Sequence, residues 1–457
     1  MSLSLTPIKI VPGKPTDRNC FVVQMSNQLF IQLKIGEHRD LNITLGQKTI
    51  TTTIQTVEMA ANELILPANM ITDFCLPLQC YKFQAMYLAD SHTLKLGPVV
   101  GLLTNFTSIR QENLHFRSIH TFCEELHHCI TEQGGFFYVF AYEQFLNEAY
   151  YLMDGKWLPF ELPLPDVIYN RIHSRRLEQK ESYKQFRSRL EQLMIPIFND
   201  RFLSKWEVYE QLSNERQLLA YIPKTKLFSK EHLHEFIQKY ETVFLKPIHG
   251  SQGKNIIKVK KERENYYTFQ SSLTSQIDTV GEGVTLDEIY QLVKPILYNQ
   301  IYIIQQGLDL VTHHACAMDF RVLCHKSLTN QWKITSTVAR IAADGEFVSN
   351  IARGGTITRP LTALGTCLGG KKALATLEVL KELALETATV IGSNSAGITG
   401  ELGIDIGVDL DGRIWLIEVN SKPSKNFEDD VGKIRPSAKA IIQFCTQLGF
   451  ETKPLKE

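Results

Sequence analysis

Gly403-Ile-Asp-Ile-Gly-Val-Asp-Leu-Asp-Gly-Arg-Ile-Trp-Leu-Ile-Glu-Val-Asn420 reads as two alternating apolar strands joined at Asp411-Gly412. An Asp-Gly pair between such runs is a two-residue hairpin signal, since both turn positions favour positive φ. That turn places Asp405 opposite Glu418. It gives one apolar face of Ile404, Ile406, Val408, Leu410, Trp415, Ile417 and Val419. The other face carries Gly403, Asp405, Gly407 and Asp409 against Ile414, Leu416, Glu418 and Asn420. Two carboxylates about 5 Å apart repel by roughly 3 kcal/mol at an effective dielectric near 20. A divalent cation would offset that cost. Asp405, Glu418 and the amide oxygen of Asn420 form a hard oxygen set suited to Mg²⁺. The plain alternative is a solvated sheet face decorated with acids.

Three upstream segments add to this hairpin. Val243-Phe-Leu-Lys-Pro-Ile-His-Gly-Ser-Gln-Gly-Lys-Asn-Ile256 joins a strand to a glycine-rich loop. Gly250 and Gly253 let backbone N–H groups converge on an anion, Ser251 and Asn255 add donors, and Lys246 supplies a point charge. The loop lacks the Gly-Lys-Ser/Thr that opens a P-loop helix, and similar turns occur in proteins that bind no anion. Asp319-Phe-Arg-Val-Leu-Cys324 is a strand with Asp319 and Arg321 on one face, and Trp332–Ile341, ending near Arg340, is its expected partner. A structural pair of salt-bridged strands is the simpler reading of that alternation. Glu346-Phe-Val-Ser-Asn-Ile-Ala-Arg-Gly-Gly355 then brings Asn350 and Arg353 into a loop.

The order of these parts resembles the ATP-grasp superfamily over residues 199–425, with 95–198 similar to its preceding α/β domain. Asp319-x-Arg321, Arg340, Glu346-Phe-x-Ser-Asn350 and Arg353-Gly-Gly355 are similar to motifs of glutamate ligases that modify ribosomal proteins. Over its whole length, through Leu96-Gly-Pro-Val-Val-Gly101 and Glu418-Val-Asn-Ser-Lys-Pro423, the chain resembles the YheC/YheD spore-coat-associated family. The resemblance implies ATP and Mg²⁺ as cofactors, with Mn²⁺ as an alternative ion. It implies that Lys205 and Lys246 reach the α- and β-phosphates while Gly250, Ser251 and Gly253 close over the triphosphate. Gln306, Gly307 and Leu308 would form the hinge that reads adenine, with Asp319 near the ribose. Asp405, Glu418 and Asn420 match the metal ligands. Arg340 and Asn350 would contact the γ-phosphate and acyl-phosphate, and Arg353 a phosphate or substrate carboxylate. Gln306 replaces a glutamate of many relatives, and Val348 an arginine of the ribosomal-protein ligases. Lys422 has no assigned role.

The rest of the chain bounds these expectations. Its 457 residues exceed one ordinary core. The expected units are a small β-domain over 1–92, barrel-like, and an α/β domain over 93–198. The small ATP-grasp subdomain follows over 199–308, and the large one, with the metal site, over 309–457. The fold class is α/β (α+β). In the first unit Phe21–Val23, Leu29–Lys34, Leu41–Leu45, Ile50–Val57 and Leu64–Leu66 read as strands. Leu96–Thr104 reads as one strand opening the second unit. Lys+Arg and Asp+Glu are both 49, so bulk charge draws the chain to neither nucleic acid nor an acidic membrane. Nine scattered cysteines without a Cys-x-x-Cys pair indicate neither a disulfide framework nor a zinc site. Absence of a signal-like apolar core in Met1–Ile10 and of any apolar run near 20 residues gives a cytoplasmic expectation, with spore-coat association from the resemblance.

The resulting expectation is a carboxylate–amine ligase acting through an acyl-phosphate on a small molecule or peptide. Arg321, Arg340, Arg353 and Lys422 suggest an acidic one. A coat or scaffold protein without turnover, assembling with spore-coat proteins, and a kinase-like phosphotransferase are the competing expectations.

Overall fold

The computed structural model describes residues 4–17, 21–36, 40–106, 114–250, 253–263, 266–272, 281–297, 300–346, 349, 354–425 and 434–451. Its first seven strands are Thr6–Gly13, Val22–Ser26, Asp40–Leu45, Lys48–Val57, Glu63–Pro67, Tyr81–Leu88 and Thr93–Gly97. They close into a barrel, the first pairing with both Glu63–Pro67 and Tyr81–Leu88. Leu29–Lys34, read as a strand, is instead within and just beyond the helix Asn27–Gln32. Ser26 Oγ accepts the Leu29 N–H at 3.0 Å, an N-cap that turns the chain into a helix. Leu29 and Leu33, four residues apart, face inward while Ile31 is 74 % exposed.

Leu96–Thr104 is two elements. Proline has no N–H to continue a ladder, and the chain breaks at Pro98. Thr93–Gly97 finishes the barrel, and Val99–Leu103 begins a six-stranded sheet. The buried Asp166 carboxylate holds the break, accepting the Val99 N–H at 2.8 Å beside Lys95. In that sheet Val99–Leu103 lies between Phe136–Phe140 and Val167–Asn170, parallel to both. All five residues of Val99–Leu103 and of Phe136–Phe140 are buried, as expected of parallel strands covered on both faces. Helices His120–Gln133 and Pro436–Phe450 pack together on one face, in a core containing Phe122, Leu126, Phe198 and Phe444.

Two antiparallel sheets follow. One runs in the order Thr225–Leu227, Tyr302–Gln306, Thr242–Pro247, Ile257–Arg263, Tyr266–Ser271, Gly281–Val284. Helix Lys230–Lys239 covers it, burying Leu233, Phe236 and Ile237 on Val243, Leu245 and Ile304. The other runs Thr356–Thr358, Trp332–Ile341, Cys316–Lys326, Glu401–Val408, Ile414–Asn420. Its apolar face packs on the 25-residue helix Gly370–Asn394 through Phe320, Val322, Ile404 and Ile406. Both sheets therefore leave their polar faces for the space between them.

A buried polar joint ties the first six-stranded sheet to the last one. The Asn199 amide donates to the Glu401 carbonyl at 2.8 Å and accepts N–H bonds from Gly400 and Glu401. The fully buried Glu401 carboxylate accepts from Tyr169 Oη at 2.6 Å and meets Arg171, His325 Nε2 and Lys425. Removing one member of such a network leaves buried cations uncompensated. Glu401→Ala is expected to cost about 3–5 kcal/mol of stability, read from urea unfolding of the purified chain; a cost near zero would show the joint to be dispensable.

Candidate active site

The hairpin brings Asp405 opposite Glu418, though by a different route from a two-residue turn. Only Gly412 of the Asp-Gly pair has positive φ (83°), and the loop is three residues long, closed by Asp409 N–H to the Arg413 carbonyl at 2.9 Å. Asp409 Oδ1 caps this loop by accepting the N–H groups of Asp411 and Arg413. The turn shifts the register by one, and an irregularity between Asp405 and Ile406, with Ile417 as the extra residue, shifts it back. The expected apolar face is corrected accordingly. Ile414 and Leu416 join Ile406 and Val408 in the core. Trp415 points elsewhere and donates to Asp409 Oδ2 at 2.9 Å, Leu410 is 69 % exposed, and Ile417 lines the cavity.

Charge around these acids is balanced in the free protein by its own cations. Arg321 pairs in register with Asp405, and Asp319 with Arg340. Arg321 forks onto Asp405 through Nε and Nη2, the latter at 2.8 Å. Arg340 forks onto Asp319 through Nε at 2.7 Å and Nη2 at 2.5 Å, and its Nη2 is 3.1 Å from Asp405. Side-on forks of this kind leave the Nη1 amino group of each arginine outside the pair. Burial pushes the Asp405 pKa up, but Arg321 and Arg340 outweigh it and hold the carboxyl below the usual range. At Asp319 burial prevails over Arg340 and the pKa is raised. Glu418 Oε1 is 2.7 Å from Lys205 Nζ, which also donates to the Gly250 carbonyl at 2.9 Å.

Lys205 opens helix Lys205–Ser213, whose N-cap Ser204 accepts the Glu207 N–H at 3.1 Å. Lys246, on Thr242–Pro247, donates to Gln305 Oε1 at 2.6 Å. Its pKa is lowered to about 8, chiefly by burial, with Glu418 opposing and Lys205 reinforcing the shift. The backbone amides of Gln306 and Gly307 donate to the Lys224 and Thr242 carbonyls at 2.9 and 2.8 Å. A Cβ on Gly307 would lie 2.5 Å from the Thr242 oxygen, so this close approach requires glycine.

Between the sheets lies a cavity of about 610 Å³. Lys205, Lys246, Gly250, Gly253, Gln306, Leu308, Asp319, Arg340, Asp405, Glu418 and Asn420 all line it; Gly307 does not. Ser251, Asn350 and Arg353 lie outside the described residues. Sequence reasoning missed the apolar walls Phe244, Met318 and Ile417, and also Arg171 and His173, which line the same cavity. Their signal was positional: polar residues just beyond a buried parallel strand sit where open α/β sheets bind ligands. Lys422 is buried against Glu178, with its pKa lowered to about 8 by that burial.

Among the described residues no three His, Cys, Asp or Glu side chains cluster as a metal site. Asp405, Glu418 and Asn420 still fit a hard divalent ion, because two carboxylates and an amide converge at one cavity wall and carboxylate oxygens hold lone pairs beyond those used by arginine.

The family described as YheC/D like ATP-grasp matches residues 194–448. The chain belongs to this YheC/D-like ATP-grasp family. It is 25% identical over 411 residues to the endospore coat-associated protein YheD of Bacillus subtilis (strain 168), covering 88% of each chain. It is 24% identical over 300 residues to YheC of the same strain, covering 65% of this chain and 80% of that one. Among solved structures, D-alanyl-alanine synthetase A from Vibrio cholerae aligns over 77% of this chain and 99% of its own at 14% identity, with a TM-score of 0.44. No helix among the described residues of this ATP-grasp chain is long and apolar enough to cross a membrane.

An anionic ligand at Lys246 stabilises the ammonium form. Binding of a non-hydrolysable ATP analogue is therefore expected to take up protons between about pH 8 and 10.5, where free Lys246 is losing its charge. Calorimetry in buffers of differing ionisation heat measures this uptake, and Lys246→Met should abolish it. In the free protein the same depressed pKa costs stability below about pH 8 and releases that cost as pH rises through the window.

Proposed function

We propose that this chain is an ATP-dependent carboxylate–amine ligase working through an acyl-phosphate. The observation that carries the proposal is one cavity joining two lysines, a glycine loop and the Asp405–Glu418–Asn420 set to a row of oriented arginines. Phe244, Leu308, Met318 and Ile417 supply apolar walls for the base. Since the Gln306 and Gly307 amides are already bonded, adenine reading falls to Leu308 and to carbonyl oxygens of the hinge. Lys205, Lys246 and the loop through Gly250 and Gly253 neutralise the phosphates, with Ser251 as a further donor. Asp319 is assigned to the ribose end. Mg²⁺ or Mn²⁺, held by Asp405, Glu418 and Asn420, would supply charge neutralisation and Lewis acidity at the phosphates.

A substrate carboxylate oxygen attacks the γ-phosphorus, the bond from phosphorus to the bridging oxygen breaks, and ADP departs. An amine then adds to the acyl carbon and loses its proton, and phosphate leaves with the electron pair. Arg340 and Arg321 present Nη1 to the oxygens on which charge develops, held in place by their carboxylate partners. Asn350 and Arg353 are assigned to the same phosphoryl group. The protein provides positioning and field; no side-chain nucleophile is required.

The names of the two Bacillus relatives favour a second reading, a spore-coat protein that binds nucleotide and assembles without turnover. ADP and phosphate release from Mg-ATP, screened over amino acids and short peptides, separates the two readings. Ligase action requires both an acid and an amine, whereas release with an acid alone and a stable phosphorylated product would mark a kinase. Glu418→Ala is expected to lower turnover by about 100-fold or more, and wild-type chain with no turnover on any pair leaves the assembly reading.

A further inference from the structure

The cavity is also lined from the first six-stranded sheet, where Arg171 and His173 follow the strand Val167–Asn170. Arg171 is 3 % exposed; its Nη1 reaches Glu401 at 3.4 Å and its Nη2 the Pro423 carbonyl at 2.8 Å. Its Nε is buried with no hydrogen-bond partner among the described residues. His173 donates its backbone N–H to Asn105 Oδ1 at 2.9 Å, and its ring Nε2 is likewise buried and unbonded. Polar groups left in that state are costly unless something else completes them. The surroundings are cationic. Burial, then Arg171, Arg117 and Lys422, lowers the His173 pKa to about 4, so its ring is neutral amid positive charge. The nearby acids are engaged, Glu178 with Lys422 and Glu401 with Arg171 and Lys425.

Arg171 and His173 both line the cavity, each keeps one side-chain nitrogen without a partner among the described residues, and the positive field around them favours an anion such as a carboxylate. The nucleotide phosphates already have Lys205, Lys246 and the glycine loop in the proposed reading. We propose that this part of the cavity binds a second carboxylate of the acid being activated, so that the substrate is a dicarboxylate of aspartyl or glutamyl type and Arg171 and His173 determine that specificity. The inference rests on the ligase reading. It shifts acid recognition from Arg321 and Arg340, which are engaged with Asp405 and Asp319, to the preceding sheet.

The test uses the full chain with Mg²⁺. Binding of the ATP analogue AMP-PNP is measured first; its failure would overturn the ligase reading itself. With the analogue bound, calorimetry compares succinate, glutarate, N-acetylaspartate and N-acetylglutamate with their half-amides. At least one diacid is expected to bind about tenfold or more tighter than its half-amide, and the preference should fall below about twofold in Arg171→Gln and His173→Phe. Because Arg171→Gln also removes a partner of Glu401, His173→Phe decides if the arginine variant fails to fold. Nucleotide binding with no diacid bound, equal affinity for acid and half-amide, or a preference unchanged in His173→Phe would overturn this proposal and leave the ligase reading standing.

Discussion

Alternation of acid and guanidinium across three adjacent strands governs the site. Asp319, Arg340, Asp405 and Arg321 occupy paired positions on Cys316–Lys326, Trp332–Ile341 and Glu401–Val408. A one-residue slip in either pairing would turn these side chains into the apolar core and its isoleucines outward. The buried pairs are thus tied to the register, and the register to the face packed on Gly370–Asn394. Burial makes each charge expensive alone and firm once paired. The resulting row is oriented before any ligand arrives, the condition under which fixed charges act most strongly on a developing one.

Within that frame the lysines behave differently from the arginines. Lys205 bridges Glu418 to the Gly250 carbonyl, so one ammonium links the acid strand to the glycine loop. Among the described residues, Lys246 has only a neutral amide oxygen as its direct hydrogen-bond partner, at 2.6 Å. Its charge is therefore the more readily stabilised by an incoming anion. Fixed guanidinia at one wall and adaptable ammonium groups at the other divide the cavity into a preset region and a responsive one.

Much of this was legible in the residues, for identifiable reasons. Period-two alternation located the Asp/Arg strand and the hairpin. The Asp405–Glu418 opposition was also legible, yet it arises from two offsets that cancel, a longer turn and a bulge, which spacing alone cannot show. Leu29–Lys34 misled because alternation of large apolar residues fits a short amphipathic helix as well as a strand, and the Ser26 cap decided between them. The run through Pro98 misled because two strands of different sheets meet there without a polar break. Arg171, His173, and the pairing of Lys422 with Glu178 and of Arg171 with Glu401 were invisible, since the contacts that hold them span more than 60 residues of sequence.

The closed barrel has a consequence for association with other proteins. A sheet that returns to its own first strand offers no open row of backbone donors and acceptors. Any protein that docks on residues 6–97 must read side chains, since it cannot extend the sheet. Backbone-mediated growth is confined to the outer strands of the three open sheets. On one of those, Lys156–Phe160, a charged lysine and the donorless Pro159 already blunt the rim. Side-by-side strand stacking is thus disfavoured at both the barrel and this rim.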